Sequence, residues 1–384
     1  MAFNYKNNKL YCENAAVEKL AKKYGTPLYI YSYAELKKNF EAYKKALKGL
    51  NSLVCYALKT NSNIAFAAEL AKLGAGVDIV SQGELFRSLK AGFDSSKIVY
   101  AGVGKTDVEI EYALRKNILM FNVESVSELE RINKIAKKLK KKARICFRVN
   151  PDVDPKTHPY VATGLAESKF GIDIKHAKKT YVMTKKMSNI EPVGVHMHIG
   201  SQLLLVSPFE QAVKKLVALI RDLRTEDINL KYLDIGGGLG ISYKNEKVPT
   251  PSQLISRIKK YIKGEDITLV LEPGRSISGT AGILVAKVIY NKQSSKKEFV
   301  IVDAAMNDLA RPALYNAYHE IVPVQKVRRN IKVSDVVGPV CESGDFLAKN
   351  RKIPHIEEGE YLALKNAGAY AFSMSSNYNS RTRA

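Results

Sequence analysis

The sequence predicts an α/β fold: a (β/α)8 barrel of the TIM type joined to a C-terminal antiparallel β domain that also includes the N-terminal segment. Between residues 32 and 273, short apolar runs alternate with amphipathic helices about eight times, which is typical of parallel β/α units that close into a barrel. Beyond Gly274 short strands follow one another without long helices, which is typical of an antiparallel domain. The 384 residues are enough for both. We therefore expect a barrel over 32–273 and a β domain over 1–31 and 274–384.

The elements follow from hydrophobic periodicity and from turn residues. Near the N-terminus, a helix over 15–24 ends at Gly25 and a strand over 27–31 follows. The pattern then predicts barrel strands at 53–58, 76–80, 98–101, 119–123, 143–149, 191–198, 232–235 and 267–272, and helices at 33–47, 64–73, 83–91, 107–116, 125–138, 176–186 and 208–223. In the β domain it predicts strands at 282–290, 298–303, 333–337 and 361–365.

The charge balance is strongly basic, with 61 Lys and Arg against 38 Asp and Glu, a formal net charge of +23. The basic residues are spread along amphipathic helices, as over 134–142, so we interpret them as solvated faces that also steer anionic ligands. The sequence has no RNA-binding, zinc-finger or basic-zipper signature, so we expect no nucleic-acid partner. A nucleic-acid-binding protein would instead show salt-sensitive retention on DNA.

Cysteine spacing and hydropathy indicate the compartment. The four cysteines are far apart in sequence and form no CxxC pair, which fits a reducing compartment better than a disulfide framework or a zinc site: Cys12, Cys55, Cys146 and Cys341. The polar N-terminus lacks the apolar core of a signal peptide, and no later run is long enough to span a bilayer. We expect a cytoplasmic protein without a metal site or a membrane partner.

The stretch around Lys59 is the strongest chemical signal. The apolar run 53–58 reads as a buried strand, and Lys59 follows where strand becomes loop. Partial desolvation there lowers the pKa of an amine and makes it a candidate for a Schiff base with a carbonyl cofactor. A solvated lysine at a strand end is the alternative, and position alone favours it.

Other candidate residues also fall at predicted strand ends, where barrel enzymes carry their chemistry. Three glycines, 236–238, let backbone N–H groups approach an anion, and Arg275 after the next strand adds a cation, which together suggest a phosphate site; a simple tight turn is the alternative. Glu272 ends an apolar strand and needs a partner if it is ionised, such as a protonated pyridine nitrogen. His196 and His198 alternate along one predicted strand, so we expect both on one face. A hydrogen-bonded core histidine is the interpretation for His196, and stacking on a ring is a competing one for His198.

Seven motifs occur in an order that resembles one enzyme family over nearly the whole chain. They are Tyr56-Ala57-Leu58-Lys59-Thr60-Asn61, Asn150-Pro151-Asp152-Val153-Asp154, His196-Met197-His198-Ile199-Gly200-Ser201-Gln202, Gly236-Gly237-Gly238-Leu239-Gly240, Glu272-Pro273-Gly274-Arg275-Ser276, Cys341-Glu342-Ser343-Gly344-Asp345 and Ala367-Gly368-Ala369-Tyr370. The set resembles diaminopimelate decarboxylase, a pyridoxal 5'-phosphate enzyme of the alanine racemase fold type. The resemblance implies decarboxylation of meso-2,6-diaminopimelate to L-lysine and CO2, the last step of lysine biosynthesis.

The resemblance also implies roles for individual residues. Lys59 resembles the lysine that binds the cofactor covalently, His198 the ring stacked on it, and Cys341 the proton donor. The implied cofactor-binding set is Lys59, His198, Ser201, Gly237, Gly238, Glu272, Pro273, Gly274, Arg275 and Tyr370. The implied substrate-binding set is Arg275, Arg311, Tyr315, Glu342 and Tyr370, with Glu342 receiving the distal ammonium. The family supplies Cys341 and Glu342 across a homodimer interface. These roles agree with the chemistry, because a carbanion needs an electron sink and then one proton.

Some features leave room for alternatives. Met197 and Ala305 replace the family's usual cysteine and glycine, both small changes. Relatives continue with further strands where this chain stops at Ala384, so we expect an unpaired sheet edge and lower stability or weaker dimerisation. Within the fold, the alternative is a decarboxylase of ornithine, arginine or another basic amino acid. A non-catalytic pyridoxal-phosphate carrier is a further alternative, but such carriers typically lack the β domain that carries Cys341.

Overall fold

A computed structural model describes residues 2–154 and 169–384. In chain order the strands are β1 (Phe3–Lys6), β2 (Lys9–Cys12), β3 (Ala15–Ala16), β4 (Leu28–Tyr31), β5 (Ser52–Ala57), β6 (Gly76–Ile79), β7 (Ile98–Tyr100), β8 (Met120–Val123), β9 (Ala143–Asn150), β10 (Ile172–Asp173), β11 (Ile190–His196), β12 (Tyr232–Asp234), β13 (Thr268–Leu271), β14 (Gly282–Gln293), β15 (Glu298–Val302), β16 (Ile321–Pro323), β17 (Ile331–Val337), β18 (Phe346–Pro354) and β19 (Tyr361–Leu364). The helices are α1 (Val17–Tyr24), α2 (Tyr33–Ala46), α3 (Ile64–Lys72), α4 (Gln82–Lys90), α5 (Asp107–Lys116), α6 (Val126–Lys138), α7 (Ile174–Met183), α8 (Ser207–Arg224), α9 (Pro251–Ile262), α10 (Arg275–Ser278) and α11 (Arg311–Tyr315).

The chain divides into two compact units. The barrel unit comprises Phe40–Gly240 and Lys247–Ser276, and the β unit comprises Met1–Asn39, Ile241–Glu246 and Ile277–Ala384.

The barrel unit contains a closed ring of eight parallel strands, as the sequence predicts. The ring runs β5, β6, β7, β8, β9, β11, β12, β13 and back to β5, and the short β10 adds to β9 outside it. Strands β6 and β8 are buried at every position, which explains their nearly unbroken apolar sequence. Because all ring strands run in the same direction, residues that follow their carboxyl ends share one rim.

Helix α9 was missed by the sequence analysis although its signals are present. Thr250 and Gln253 form a reciprocal capping box around Pro251 at the first helical position, and Leu254 and Ile258 are among the residues buried on its inner face. Such a cap contributes about 1 kcal/mol, enough to fix where the helix begins. The predicted ring strands and the other predicted helices are present, with ends shifted by a few residues.

The β unit is built on a sheet of order β16-β19-β14-β15-β17-β18, with β4 also paired to β14. Its pairs are antiparallel except β15 with β17, which run parallel, so the antiparallel prediction needs this one correction. The long connection between these strands allows the chain to cross back before pairing. Side chains of β14 alternate between two cores, Leu284 and Ala286 on one face and Ile283 and Val285 on the other.

The N-terminal hairpin of β1 and β2 was also missed. Asn7 and Asn8 have φ values of 48° and 62°, and two consecutive left-handed residues between paired strands form the turn that asparagine favours. Leu10 N–H donates to the Val324 carbonyl at 2.8 Å, which ties the hairpin to the rest of the unit. Strands β16 and β18 were likewise not predicted. Within the described ranges, no helix has both the length and the apolar character needed to cross a bilayer.

Candidate active site

Lys59 lies at the rim of the barrel. The strand that precedes it ends one residue earlier than the sequence predicts, so Lys59 is the second residue after the strand and not the first. Strand β5 ends at Ala57, and Lys59 sits in the 3-10 turn Leu58–Thr60. The Thr60 hydroxyl donates to the Ala57 carbonyl at 2.8 Å, which closes the turn. Lys59 Nζ donates to Asp78 Oδ2 at 2.6 Å, and Asp78 is fully buried on the neighbouring β6. The turn therefore directs the amine inward, towards a buried carboxyl.

The glycine loop after β12 approaches other backbone segments too closely for side chains. A Cβ added at Gly237 would lie 2.2 Å from the Glu272 carbonyl oxygen. At Gly238 it would lie 2.3 Å from the Gly200 carbonyl oxygen, and Gly238 also has a left-handed φ of +110°. Glycine at both positions is therefore a requirement of the packing.

The turn that carries Lys59 packs directly on the segment after β13. A Cβ added at Gly274 would lie 2.3 Å from Thr60 Cγ2, and Ala57 N–H donates to the Pro273 carbonyl at 3.2 Å. Pro273 and Gly274 are thus held against the lysine's own turn.

Arg275 and Ser201 are joined by a hydrogen bond at the same rim. Arg275 Nη2 donates to Ser201 Oγ at 3.1 Å, and the arginine is buried. Ser201 follows Gly200, against which Gly238 packs. A guanidinium and a hydroxyl beside a glycine loop are groups that bind phosphate in proteins.

His198 lies beyond its strand, which corrects the prediction that it alternates with His196 along one strand. Strand β11 ends at His196, and His198 Nδ1 accepts from Gly237 N–H at 3.3 Å. The His198 carbonyl accepts from Arg148 Nη2 at 3.4 Å, and Arg148 pairs with Glu124 at 3.0 Å. Burial, and then the Arg148 charge, lower the pKa of His198 well below its ordinary value. The ring is therefore a neutral, flat surface beside the glycine loop.

Glu272 is buried beneath this rim among polar partners. Asn122 Nδ2 donates to Glu272 Oε1 at 3.1 Å, and His196 Nε2 lies 3.4 Å from Oε2. Burial alone would raise the pKa of Glu272, but the His196, Lys59 and Asp234 side chains oppose it and leave the pKa below its ordinary value. Glu272 is therefore an ionised carboxylate in a dry interior.

Three of these partners escaped the sequence analysis. Asp78, Asn122 and Asp234 each stand in an otherwise apolar barrel strand and are fully buried. A polar residue inside an apolar run was the signal that could have found them.

In the β unit, Arg311 opens helix α11 and is held by two aromatic rings. Its Nη1 donates to Tyr243 Oη at 3.0 Å and to His319 Nε2 at 3.0 Å. His319 Nδ1 lies 2.8 Å from the Lys365 carbonyl oxygen, which can only accept. Nδ1 must therefore carry the ring hydrogen, and Nε2 is free of one and accepts from Arg311. Tyr315 lies one turn later on the same helix, as predicted.

Cys341 and Glu342 lie on one exposed turn of the β unit. Cys341 N–H donates to Asn379 Oδ1 at 2.8 Å, and Tyr378, whose pKa is raised, is hydrogen-bonded to Glu342. The buried Asp345 supports the turn, accepting from Val340 N–H through Oδ2 and from Met306 N–H through Oδ1, both at 2.7 Å.

The predicted site residues thus fall into two sets, one in each unit. Lys59, His198, Ser201, Gly237, Gly238, Glu272, Pro273, Gly274 and Arg275 are brought together at the barrel rim. Arg311, Tyr315, Cys341, Glu342 and Tyr370 belong to the β unit, where Tyr370 has a left-handed φ of 53°. The barrel set offers an amine, an arginine and serine pair beside a glycine loop, a neutral ring and a buried carboxylate. That set matches a phosphorylated aldehyde that carries a basic ring nitrogen.

Comparison with known proteins gives a consistent result. Residues 33–279 match the family model described as pyridoxal-dependent decarboxylase, pyridoxal binding domain. Diaminopimelate decarboxylase of Aquifex aeolicus is 53% identical over 381 residues, which cover 99% of this chain and 90% of that protein.

Two solved structures are similar along almost the whole chain. Diaminopimelate decarboxylase of Helicobacter pylori, complexed with L-lysine, is 46% identical with a TM-score of 0.92, covering 95% of this chain and 92% of that one. The enzyme of the same name from M. jannaschii, also in complex with L-lysine, is 41% identical with a TM-score of 0.95, covering 100% of this chain and 91% of that one.

Proposed function

This chain belongs to the family of pyridoxal-dependent decarboxylases, and from that premise we infer that it converts meso-2,6-diaminopimelate to L-lysine and CO2. Relatives that are 46–53% identical over nearly the full length carry the name diaminopimelate decarboxylase. Pyridoxal 5'-phosphate is the family's cofactor.

The observation that carries the substrate assignment is the setting of Arg311. Its guanidinium is buried and oriented by Tyr243 and His319. A buried arginine whose orientation is fixed by hydrogen bonds is suited to bind a carboxylate. Diaminopimelate has two carboxylates, one of which leaves and one of which remains in lysine, whereas ornithine has only the one that leaves. Arg311 would bind the carboxylate that remains.

The barrel residues fit the cofactor because Ser201 and Arg275 would hold its phosphate beside the loop that packs closely through Gly237 and Gly238. When bound, pyridoxal 5'-phosphate supplies a protonated ring that accepts the electron pair released as the carboxylate departs. Lys59 would hold the aldehyde carbon covalently. The ionised Glu272 would stabilise a proton on the ring nitrogen, since it is a negative charge in a dry interior.

The remaining residues handle the substrate and the final proton. The neutral His198 provides a flat apolar face that covers one side of the ring without adding charge. Arg275 would contact a substrate carboxylate as well as the phosphate, and Tyr315 and Tyr370 would line the substrate's path. Cys341 would give a proton to the carbon that lost its carboxylate, and Glu342 would pair with the distal ammonium.

We extend the proposal to a homodimer with shared sites. Cys341 and Glu342 are exposed on their own chain, whereas a thiol that delivers a proton stereospecifically must be shielded from water. A second copy that covers the barrel rim with this turn would provide the shielding. A cytoplasmic location belongs to the same proposal, because all four cysteines carry free thiols, as is usual in reducing compartments.

Two measurements test the activity. Borohydride reduction of the cofactor-loaded protein, followed by peptide mapping, should place the pyridoxyl group on Lys59. Lys72→Ala serves as the control and should leave the labelling of Lys59 unchanged. CO2 release should be detected with diaminopimelate and not with ornithine or arginine. An adduct on another lysine, or turnover of ornithine in place of diaminopimelate, would contradict the proposal.

Mixing inactive variants tests the shared site. Lys59→Ala and Cys341→Ala protomers should each be inactive alone. After random subunit exchange about half of the dimers are mixed, and each mixed dimer has one intact site of two, so the mixture should regain about a quarter of the wild-type activity. No recovery after verified subunit exchange would mean that each chain supplies its own thiol.

A further inference from the structure

Among the described residues, three carboxyl groups lie close together in the barrel interior, and contacts with Lys59 and His196 reach two of them. Asp78, Asp234 and Glu272 are each 4% exposed or less. Lys59 Nζ pairs with Asp78, and His196 Nε2 contacts Glu272. Three ionised carboxylates this close in a dry interior would repel one another strongly, so the group must retain at least one proton.

Asp78 Oδ1 and Asp234 Oδ2 both lack a hydrogen-bond donor among the described residues, but Asp78 is paired with the Lys59 ammonium, so Asp234 is the member that calls for the proton. Its Oδ1 accepts from Gly236 N–H at 2.9 Å, whereas its Oδ2 has no hydrogen-bond donor among the described residues. Ligand-capable atoms of Asp234, Glu272 and His196 all lie within 4.8 Å of one another. A carboxyl oxygen that faces another carboxyl oxygen away from water is repelled unless a hydrogen lies between them.

We propose that Asp234 is a positioning residue that stays protonated at neutral pH and donates its hydrogen to Glu272. Asn122 donates to the other oxygen of Glu272 at 3.1 Å, so the two donors together hold that carboxylate ionised and fixed in orientation. Through Oδ1, Asp234 also fixes Gly236, the first residue of the glycine loop. One side chain thus links the acid that faces the cofactor ring to the loop that faces its phosphate.

The electrostatics agree with this assignment. Burial, and then the Glu272 charge, raise the pKa of Asp234 well above its ordinary value. The pKa of the neighbouring Cys55 thiol is raised in the same way, so this thiol stays neutral and supplies no charge. The assignment rests on the proposed role of Glu272, but the protonation of Asp234 is measurable without cofactor.

Two substitutions separate a hydrogen donor from a charge. Asp234→Asn keeps an oxygen for Gly236 N–H and gives Glu272 a permanent N–H donor, so it mimics the protonated acid. Asp234→Ala removes both bonds. We expect Asp234→Ala to weaken pyridoxal 5'-phosphate binding by roughly tenfold or more and to shift the absorption of the bound cofactor, with Asp234→Asn retaining most of the affinity. The exposed Asp266→Asn is the matched control.

Infrared spectroscopy of the cofactor-free protein tests the proton directly. At about pH 8, above the pKa of about 7 of Asp78, the wild type should show a protonated-carboxyl C=O stretch that Asp234→Asn lacks and Asp266→Asn retains. The assignment would be overturned if Asp234→Asn kept the same band as the wild type. It would also be overturned if Asp234→Asn bound the cofactor as poorly as Asp234→Ala. The infrared comparison decides even if Asp234→Ala fails to fold. If instead the wild type shows the band but does not decarboxylate diaminopimelate, the proposed function fails and the assignment of the proton stands.

Discussion

Replacing Gly237 with alanine isolates the close approach between the glycine loop and strand β13. The added methyl carbon would lie 2.2 Å from the Glu272 carbonyl oxygen and 3.1 Å from its carbonyl carbon. An ordinary contact between carbon and oxygen needs more than 3.0 Å, so the loop must retreat by roughly 1 Å. The backbone of Gly237 is outside the left-handed region, so the substitution adds no dihedral strain.

A retreat of this size should disturb the site more than the fold. Gly237 N–H donates to His198 Nδ1, so the His198 ring loses this hydrogen bond as the loop moves. Displacement by about 1 Å can reduce kcat/KM by about 10²-fold, equivalent to about 3 kcal/mol. We expect a loss of this order for CO2 release from diaminopimelate, together with weaker cofactor binding in a fluorescence titration.

Gly104→Ala provides the matched control for the same experiment. Gly104 lies in the same unit, its backbone is outside the left-handed region, and nothing lies within 4 Å of a Cβ added there. This variant should keep wild-type kcat/KM and cofactor affinity. If Gly237→Ala behaves like Gly104→Ala in both assays while remaining folded, the packing argument for the glycine loop is wrong.

Three further predictions concern substrate binding and pH. Arg311→Ala should raise KM for diaminopimelate by roughly 10- to 100-fold with a smaller effect on kcat, because a substrate carboxylate loses the buried guanidinium proposed to bind it. An unchanged KM in steady-state kinetics would exclude this contact. His319→Phe should raise the same KM, while His319→Gln, which can still accept from Arg311, should restore part of it; equal KM values for both variants would argue that the ring acts only by packing. Burial, and then the Glu272 charge, raise the pKa of Asp78 from 3.8 to about 7, so the folded state binds this proton more tightly and loses stability as pH rises through that window. Melting temperatures of the cofactor-free protein should therefore fall less steeply between about pH 4 and pH 7 in Asp78→Asn than in the wild type, and parallel curves would contradict the titration.

The barrel and its rim were predictable because their signals are local. An apolar run that ends on Lys59, a glycine loop after a strand and an arginine after the next strand each carry their meaning within a few residues. Parallel topology then brings them together, since every strand delivers its following residue to one rim. The positions of Gly237 and Gly274 followed without any knowledge of the contacts that require glycine there.

The groups that set protonation were not predictable in the same way. Asp234 and Glu272 meet because β12 pairs with β13 in the register that aligns Asp234 with Val270, and periodicity does not report that register. The end of β11 at His196 depends equally on where its partners β9 and β12 stop. The pairing of Arg311 with His319 requires the chain to turn back after α11, at the left-handed Asn316.

Asp345 has a consequence for how this enzyme can be altered. Its two carboxylate oxygens hold the backbone before Cys341 and the backbone that leads to Arg311. Any redesign that reshapes one of these segments for a new amino acid also displaces the other through their common anchor. Attempts to broaden the range of substrates should therefore exchange both segments together and retain Asp345. A substitution of Asp345 should impair substrate binding and turnover at the same time.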